Sequence, residues 1–251
     1  MRTTLKTLFS PAEFEALRSR DLSNTVCVVF DVLRATTSLL TALRNGAERI
    51  VPVLEISEAL ALRGGLPGAL LAGERDGARI RAAQTGGVDF DLGNSPREFT
   101  PGRVAGKTII MTTTNGTRAL QACQGARRIL TGAFVNLGAL ARWIKNEQPA
   151  NLLLVGAGTF EEAAYEDTLA AGALSDLVWG QFSHPADSAQ IAREIYLAGR
   201  ADLAGALERH SRNARRLLAD PDLRADVPFS IQRDTVPFNA VLWDGAVTIL
   251  N

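Results

Sequence analysis

A carboxylate and a guanidinium follow the first strongly apolar segment of the chain. In VVFDVLRATTSLL, Asp31 comes directly after a β-branched run, and Arg34 and Thr36 lie at the start of the next predicted helix. Ligands of open α/β sheets bind beyond the carboxyl ends of the strands. Asp31 can therefore act as a nucleophile, base or metal ligand, and Arg34 can bind phosphate or carboxylate. The alternative is a structural ion pair, with Thr36 or Thr37 capping the helix. We predict catalytic roles for Asp31 and Arg34.

Two further segments place polar side chains at the ends of predicted elements. In AGERDGARI, Glu74 and Arg75 follow a short apolar strand. We predict a catalytic role for Glu74 and substrate binding for Arg75; adjacent opposite charges are also typical of a solvated turn. In FDLGNSPREF, Ser95 and Glu98 have the spacing of a capping box around a proline at the first helical position. An exposed helix N-terminus binds anions, so we predict that Asn94 and Ser95 contact the substrate.

A polar loop that contains a glycine joins another predicted strand to a helix. In IIMTTTNGTRAL, hydroxyls and an amide lie between the two elements, where they can surround phosphate oxygens. The glycine allows a close backbone approach or a positive φ. The alternative is that the threonines only extend the strand. We predict an anion-binding loop that contacts the substrate through Thr113, Thr114, Asn115, Gly116 and Thr117.

Three carboxylates lie close together in LLLVGAGTFEEAAYEDTLAAGAL. Glu162, Glu166 and Asp167 fall in the first turns of a predicted helix, where carboxylates commonly complement the helix dipole. They are also hard oxygen ligands, and Mg²⁺ needs only one or two protein carboxylates besides phosphate and water. We predict an Mg²⁺ site formed by Asp31, Glu166 and Asp167, with Glu74 as a further candidate.

Three familiar motifs of phosphate and nucleotide chemistry do not fit the sequence. An aspartate-nucleophile phosphatase of the haloacid dehalogenase type needs a second aspartate two positions after Asp31, and that position is Leu33. No GxxxxGK[ST] motif is present, so ATP or GTP hydrolysis has no support. Gly156 and Gly158 begin a dinucleotide-type turn, but the third glycine position is Glu161, whose charge would repel a pyrophosphate.

Short β-branched runs alternate with helical segments, which predicts an α/β fold with mainly parallel sheets flanked by helices. The predicted strands are 26–31, 49–53, 69–72, 108–112, 128–130 and 151–155. The predicted helices are 35–44, 57–63, 116–122, 137–145, 161–179 and 188–198, followed by short helices within 201–218. Asp244 and Gly245 predict the turn of a hairpin over 241–250. A polar stretch over 86–100 predicts two lobes sharing a cleft, 1–95 and 96–251.

The bulk composition limits the classes of partner. Basic and acidic residues number 27 each, so the formal net charge is zero and no basic surplus predicts nucleic-acid binding. No run of 18 apolar residues predicts a membrane span, and the N-terminus does not resemble a signal peptide, so we expect a cytoplasmic protein. Cys27 and Cys123 lie in apolar segments, which predicts reduced core residues.

Five segments together resemble the 2-phosphosulfolactate phosphatase family. In order they are VVFDVLRATTS, AGERDG, FDLGNSPREF, TTTNGT and YEDTLAAGAL, and the carboxy-terminal VPF…DG is also similar. The resemblance implies an Mg²⁺-dependent acid phosphatase that hydrolyses 2-phospho-3-sulfolactate to 3-sulfolactate and inorganic phosphate, a step in coenzyme M biosynthesis. Relatives also accept other phosphorylated 2-hydroxy acids. The resemblance further implies a two-lobed α/β homodimer and a small anionic phosphoester as substrate.

Two alternative functions come from other classes. A small-anion binding protein without turnover would keep the anion loop and the arginines but would not need clustered carboxylates. An NAD-dependent oxidoreductase would depend on Gly156 and Gly158. Within the phosphatase hypothesis, an aspartyl-phosphate route through Asp31 and attack by a metal-activated water both remain open.

Overall fold

A computed structural model describes residues 3–250 as one eleven-stranded mixed sheet with helices packed against it. The strands are β1 (Thr4–Leu8), β2 (Thr25–Phe30), β3 (Arg49–Pro52), β4 (Leu70–Arg75), β5 (Ala78–Arg79), β6 (Thr108–Thr112), β7 (Arg128–Gly132), β8 (Asn151–Gly156), β9 (His184–Pro185), β10 (Ala240–Trp243) and β11 (Ala246–Ile249). The helices are α1 (Phe14–Arg18), α2 (Ala35–Arg44), α3 (Ile56–Gly65), α4 (Ala82–Thr85), α5 (Pro101–Val104), α6 (Gly116–Ala122), α7 (Leu137–Glu147), α8 (Tyr165–Val178), α9 (Asp187–Gly199), α10 (Leu203–His210), α11 (Arg212–Ala219) and α12 (Asp226–Ser230).

Two blocks of parallel strands make up most of the sheet. The strand order is β5-β4-β6-β3-β11-β10-β7-β2-β8-β1-β9. Strands β4, β6 and β3 form one parallel block, and β7, β2, β8, β1 and β9 form the other. The antiparallel hairpin β10–β11 joins the blocks by pairing with β7 on one side and β3 on the other. The predicted α/β fold with mainly parallel strands is confirmed.

The central strand β2 shows why the parallel strands read as continuous apolar runs. Its sequence TVCVVF is buried on both faces. Cys27 and Val29 point into one hydrophobic core cluster, whereas Val26, Val28 and Phe30 point into the cluster on the other side. Each fully buried apolar side chain contributes about 1.5–3 kcal/mol, so β2 anchors both layers. The residue that follows, Asp31, is thereby placed on a rigid support.

The sheet is not flat, because residues that follow β2 and β6 touch each other. Four strands lie between these two in the strand order, which would separate them by roughly 24 Å in a flat sheet. An ideal Cβ on Gly116, at the start of α6, would nevertheless lie only 2.7 Å from Oδ2 of Asp31. The sheet must therefore curl, and the curl brings the predicted catalytic aspartate to the predicted anion loop.

Most element predictions are confirmed, including the hairpin, whose turn residues Asp244 and Gly245 both have positive φ. Two boundaries were wrong in ways that affect the site. Strand β4 continues to Arg75, so Glu74 and Arg75 lie within the strand. Helix α8 begins at Tyr165 rather than at 161, because Thr159 and Glu162 exchange backbone hydrogen bonds in a tight turn.

Three short strands, β1, β5 and β9, were not predicted. The division into lobes 1–95 and 96–251 stays a prediction; β4 and β6, which lie on either side of it in the sequence, pair directly. Both cysteines are free and buried, as predicted. No helix within residues 3–250 is long and apolar enough to cross a membrane.

Candidate active site

A cavity of about 370 Å³ lies beyond the carboxyl ends of β2 and β4, and it is called here the site cavity. Its lining residues are Asp31, Leu33, Arg34, Glu74, Asp76, Gly77, Asn94, Thr114, Asn115, Thr159, Phe160, Arg212, Asn213 and Arg216. Carboxylates and guanidinium groups share this lining, three of each. A cavity of this size accommodates a small ligand, and the mixed charges suit an anion bound together with a cation.

Asp31 lines the site cavity, and its two carboxylate oxygens differ in their hydrogen bonds. The N–H of Asp31 donates to Oγ1 of Thr36 over 3.0 Å, and the N–H of Ala35 donates to Oδ1 of Asp31 over 3.0 Å. Oδ2 accepts no hydrogen bond within residues 3–250. No side chain of Thr36 or Thr37 caps α2, so the alternative considered from the sequence is wrong. The Thr36 hydroxyl instead donates to the carbonyl oxygen of Asp31 and accepts from its N–H, which holds the aspartate backbone in place.

The environment of Asp31 favours the protonated carboxyl more than water does. Burial is the largest cause and raises the pKa of Asp31 to about 7. The hydrogen bond from Ala35 opposes this change, the carboxylates of Glu74 and Glu166 add to it, and the charge of Arg34 opposes it. A carboxyl whose pKa lies near neutrality is suited to proton transfer, and such shifts are concentrated at functional sites.

Arg34 is held rigidly at the edge of the site cavity. Its side chain is buried, and Nη1 forms an ion pair of 3.1 Å with Oδ2 of Asp226, which is fully buried. Nη2 donates to the carbonyl oxygen of Gly77 over 2.7 Å. The partner of Arg34 is therefore Asp226 rather than Asp31, and the structural ion pair considered from the sequence does not form.

Glu74 also lines the site cavity, and both of its carboxylate oxygens accept hydrogen bonds. Oε1 accepts from the N–H and from Oγ1 of Thr114, both over 2.9 Å, and Oε2 accepts from the N–H of Gly77 over 2.7 Å. Glu74 thus ties the loop after β6 to the turn after β4.

The neighbouring Arg75 does not line the cavity, because its guanidinium donates to the carbonyl oxygen of Leu54 and to Oγ1 of Thr112. Substrate binding by Arg75 stays a prediction that this placement does not favour.

The loop after β6 divides into a buried part and a part that faces the site cavity. Thr113 and Thr117 are buried and bond to each other: the Thr113 N–H donates to Oγ1 of Thr117, and the Thr117 N–H donates to Oγ1 of Thr113. Thr114 and Asn115 line the cavity. The side-chain oxygen of Asn115 is buried and accepts no hydrogen bond from the described residues. Gly116 packs against Asp31, where any side chain would clash.

Asn94 and Ser95 take different positions. Asn94 lines the site cavity, and its buried side-chain oxygen has no partner within residues 3–250. A buried polar atom without a partner beside a cavity is a candidate contact for a ligand or a water. Ser95 instead donates to Oδ1 of Asp226 over 2.7 Å. The predicted capping box is wrong, because Glu98 pairs with Arg79 and accepts from the N–H of Gly93.

Both oxygens of Glu166, one of the predicted metal ligands, are taken by protein donors. Oε2 accepts from the hydroxyl of Ser211 over 2.6 Å, and Oε1 accepts from the amide of Asn213 over 2.7 Å. These partners belong to the segment that begins α11. Glu166 therefore fixes this segment beside the cavity.

Asp167 joins two strand ends in the same manner. Its oxygens accept from the N–H groups of Val32 and Gly158, so it links the residues after β2 to those after β8. Burial is the main cause that raises its pKa well above the ordinary value, with the nearby carboxylates of Glu166 and Asp31 adding to the effect. Through these hydrogen bonds Glu166 and Asp167 act as structural anchors, and magnesium binding by either of them stays a prediction.

The free carboxylate oxygen of Asp31 is the donor that fits a magnesium ion best. Mg²⁺ requires hard oxygen ligands, and it is commonly held by one or two carboxylates together with substrate phosphate and water. No group of three or more histidine, cysteine, aspartate or glutamate side chains arranged to hold a metal is found in the described part of the chain. The residues therefore fit a magnesium ion that is held through Asp31 and whose remaining ligands are oxygens of substrate phosphate and water.

Several lining residues were missed by the sequence reasoning. Helix α11 contributes Arg212, Asn213 and Arg216, and the turn after β8 contributes Thr159 and Phe160. The run RNARR was a possible signal, because Arg212 and Arg216 are four residues apart and share one helical face. An arginine-rich short helix is more commonly a solvated surface, so the signal was weak.

The turn after β8 leaves no room for a dinucleotide. The N–H of Gly158, which would face a pyrophosphate in that reading, donates to Asp167. An added Cβ on Gly158 would lie 2.5 Å from both the carbonyl oxygen of Glu162 and the ring of Pro11. The turn is thus filled by the protein itself, which argues against the NAD-dependent alternative.

The fold and the site cavity together define an α/β enzyme. The profile of the family described as 2-phosphosulpholactate phosphatase matches residues 12–243. The chain therefore belongs to this family of phosphoric monoester hydrolases, and the family predicted from the five segments is confirmed.

Curated relatives agree with the family match, and three of them are named probable 2-phosphosulfolactate phosphatases. The protein from Caldanaerobacter subterraneus is 42% identical over 163 residues, which cover 64% of each chain. The protein from Synechococcus sp. strain JA-3-3Ab is 39% identical over 82% of this chain and 84% of its own. The protein from Clostridium acetobutylicum is 35% identical over 88% of this chain and 90% of its own.

Proposed function

We propose that this chain hydrolyses 2-phospho-3-sulfolactate, or a closely related phosphorylated 2-hydroxy acid, to the hydroxy acid and inorganic phosphate with the help of Mg²⁺. The observation that carries the proposal is the position of Asp31. Asp31 lines a cavity that three arginines also line, and its Oδ2 atom accepts no hydrogen bond among residues 3–250, in a chain of the 2-phosphosulpholactate phosphatase family.

Bound magnesium would be held through Asp31, and it would neutralise charge on the phosphoryl group. Asp31 itself serves as the nucleophile or as the base that takes a proton from the attacking water. In either route the phosphorus–oxygen ester bond breaks, water supplies the new oxygen of phosphate, and the hydroxyl oxygen of the hydroxy acid gains a proton.

The other lining residues position the substrate and compensate its charge. Arg34, fixed by Asp226, places a preorganised guanidinium beside Asp31, where phosphoryl negative charge develops. Glu74 fixes the loop that carries Thr114 and Asn115 at the cavity wall. Preorganised groups of this kind contribute to catalysis because they need no rearrangement when the reaction occurs.

The test is phosphate release from a panel of monoesters, each assayed with Mg²⁺ and with EDTA. The panel contains 2-phospho-3-sulfolactate, 2-phospholactate and phenyl phosphate. We expect release that depends on Mg²⁺ and is fastest with 2-phospho-3-sulfolactate. Saturable binding of these compounds without phosphate release would instead support the small-anion binding protein.

Three narrower expectations accompany the proposal. A role in coenzyme M biosynthesis, a homodimeric assembly and a cytoplasmic location all come from the family resemblance or from the bulk sequence. Each stays a prediction. Size-exclusion chromatography with light scattering tests the assembly, and growth of a deletion strain with and without added coenzyme M tests the pathway.

A further inference from the structure

Helix α11 presents two arginines to the site cavity. Arg212 and Arg216 lie four residues apart, which places them on the same side of the helix, and both line the cavity. Arg215 lies between them in sequence, is exposed, and donates to the carbonyl oxygen of Arg209 without lining the cavity. The helix therefore has one face directed at the cavity and a neighbouring arginine directed elsewhere.

The position of α11 is fixed by buried contacts rather than by the arginines themselves. Ser211 caps the helix by accepting from the N–H of Ala214, and it donates to Glu166. Asn213 donates to Glu166 and to Oγ1 of Thr159. Because Glu166 is only 1% exposed, these bonds hold the first turn firmly at the cavity wall. The arginines are thus presented on a preorganised support.

Neither of these two arginines is paired with a buried carboxylate among residues 3–250, whereas Arg34 is paired with the buried Asp226. The only carboxylate paired with Arg212 in the described residues is Glu162, and this pair is more than half exposed on both sides, so it contributes little and is easily exchanged. Arg216 has no carboxylate within ion-pair distance among residues 3–250, and its Nη1 donates to the carbonyl oxygen of Asp76 over 3.0 Å.

Building on the proposed phosphatase function, we propose that Arg212 and Arg216 bind the second acid group of the substrate, its sulfonate or carboxylate. They thereby select phosphorylated acids over phosphate monoesters that lack such a group. Guanidinium groups suit this role because they bind planar and tetrahedral oxyanions through several parallel hydrogen bonds. Helix α11 thereby sets the substrate specificity, while the chemical step takes place at Asp31.

The test compares Arg212→Gln and Arg216→Gln with the matched control Arg215→Gln on the same helix. Phosphate release is measured with 2-phospho-3-sulfolactate and with phenyl phosphate, and the ratio of the two kcat/KM values is the readout. We expect each cavity variant to lower this ratio by roughly tenfold or more, the effect of losing one charged hydrogen bond, mainly by raising KM for the sulfonate. Arg215→Gln should keep the wild-type ratio. A ratio that stays at the wild-type value in both cavity variants, whether or not the individual kcat/KM values fall, would overturn the proposal.

A binding measurement separates failure of this proposal from failure of the phosphatase function. Calorimetric titration of 3-sulfolactate requires no turnover. If the wild-type protein releases no phosphate but binds 3-sulfolactate, and Arg216→Gln weakens that binding roughly tenfold while Arg215→Gln does not, the anion-binding role stands without the hydrolysis. If the wild-type protein does not bind 3-sulfolactate, or if all variants bind it equally, the role of α11 is wrong.

Discussion

The guanidinium of Arg34 lies 3.1 Å from the carboxylate of Asp226, and 192 residues separate the two in sequence. Ser95 and Arg97 also donate to Asp226, so one buried carboxylate receives three donors. Through this pair, the short helix α12 near the carboxy terminus determines where a cavity arginine points. Burying an ion pair costs desolvation energy that a pair of apolar residues would avoid, which suggests that the pair is kept for its geometry.

Breaking this pair should damage both stability and activity. Asp226→Asn leaves the charge of Arg34 buried without a counter-charge, and we expect a loss of about 3 kcal/mol in the free energy of unfolding. Urea unfolding measures this loss, and phosphate release measures the activity. The exposed Asp222→Asn is the matched control and should change neither. The double variant Arg34→Met with Asp226→Leu should recover most of the stability but not the activity. Recovered activity in the double variant would show that Arg34 has no role in the reaction.

The raised pKa of Asp31 predicts a stability that depends on pH. Because the folded-state pKa of about 7 lies above the ordinary value of 3.8, the folded protein binds the proton more tightly than the unfolded chain. The free energy of unfolding therefore falls as the pH rises from roughly 4 to 7, and it levels off above. Asp31→Asn removes this contribution and should stabilise the metal-free protein at high pH.

Urea unfolding of both proteins in EDTA at pH 5 and pH 8.5 tests this expectation. The stability advantage of Asp31→Asn should grow by on the order of 2 kcal/mol between the two pH values. An advantage of the same size at both would mean that the Asp31 carboxyl does not titrate in this range.

Gly116 should not tolerate a side chain. An alanine Cβ at this position would lie 2.7 Å from Oδ2 of Asp31 and 2.9 Å from Cβ of Ala35, so the loop or Asp31 must shift. We expect Gly116→Ala to cost about 1–3 kcal/mol of stability and to lower kcat more than tenfold, because small displacements of catalytic groups are costly. Gly102→Ala is the control, since its Cβ would meet nothing within 4 Å. Wild-type kcat in Gly116→Ala would contradict the close approach to Asp31.

The sequence predicted the part of the site that follows apolar strands. Asp31 and the loop after β6 come directly after buried β-branched runs, so their position at strand ends could be read from the pattern alone. The position of Arg75 could not be read in this way, because residues of a strand alternate between faces, and extending β4 to Arg75 puts Glu74 and Arg75 on opposite sides. The contribution of α11 depends on the tertiary fold, which no local pattern reveals.

The roles of the carboxylates on the helix after β8 were harder to predict from the sequence. Glu166 at the start of a helix fits a metal ligand and a structural anchor equally well in sequence. The residues that bind both of its carboxylate oxygens, Ser211 and Asn213, lie 45 and 47 positions away in the sequence.

Glu166→Gln distinguishes these two roles. Gln keeps the side-chain length and an oxygen that accepts from the Asn213 amide. If Glu166 is a structural anchor, the variant should therefore stay folded with a moderate loss of stability. We expect the Mg²⁺ concentration that gives half-maximal activity to stay within about threefold of wild type, whereas loss of a direct ligand raises it far more. A rise of about a hundredfold would show that Glu166 is a metal ligand, as predicted from the sequence.

In the proposed function, Asp31 carries out metal-dependent phosphate release in the site cavity. The most direct measurement compares the wild-type protein, Asp31→Asn and the control Arg215→Gln in the hydrolysis of 2-phospho-3-sulfolactate, with Mg²⁺ and with EDTA. We predict rapid release by the wild type and by Arg215→Gln only with Mg²⁺, and a loss of about a thousandfold or more in Asp31→Asn, which nevertheless remains folded. Release by Asp31→Asn at the wild-type rate would rule out a catalytic role of Asp31, and equal release in EDTA would rule out the dependence on Mg²⁺.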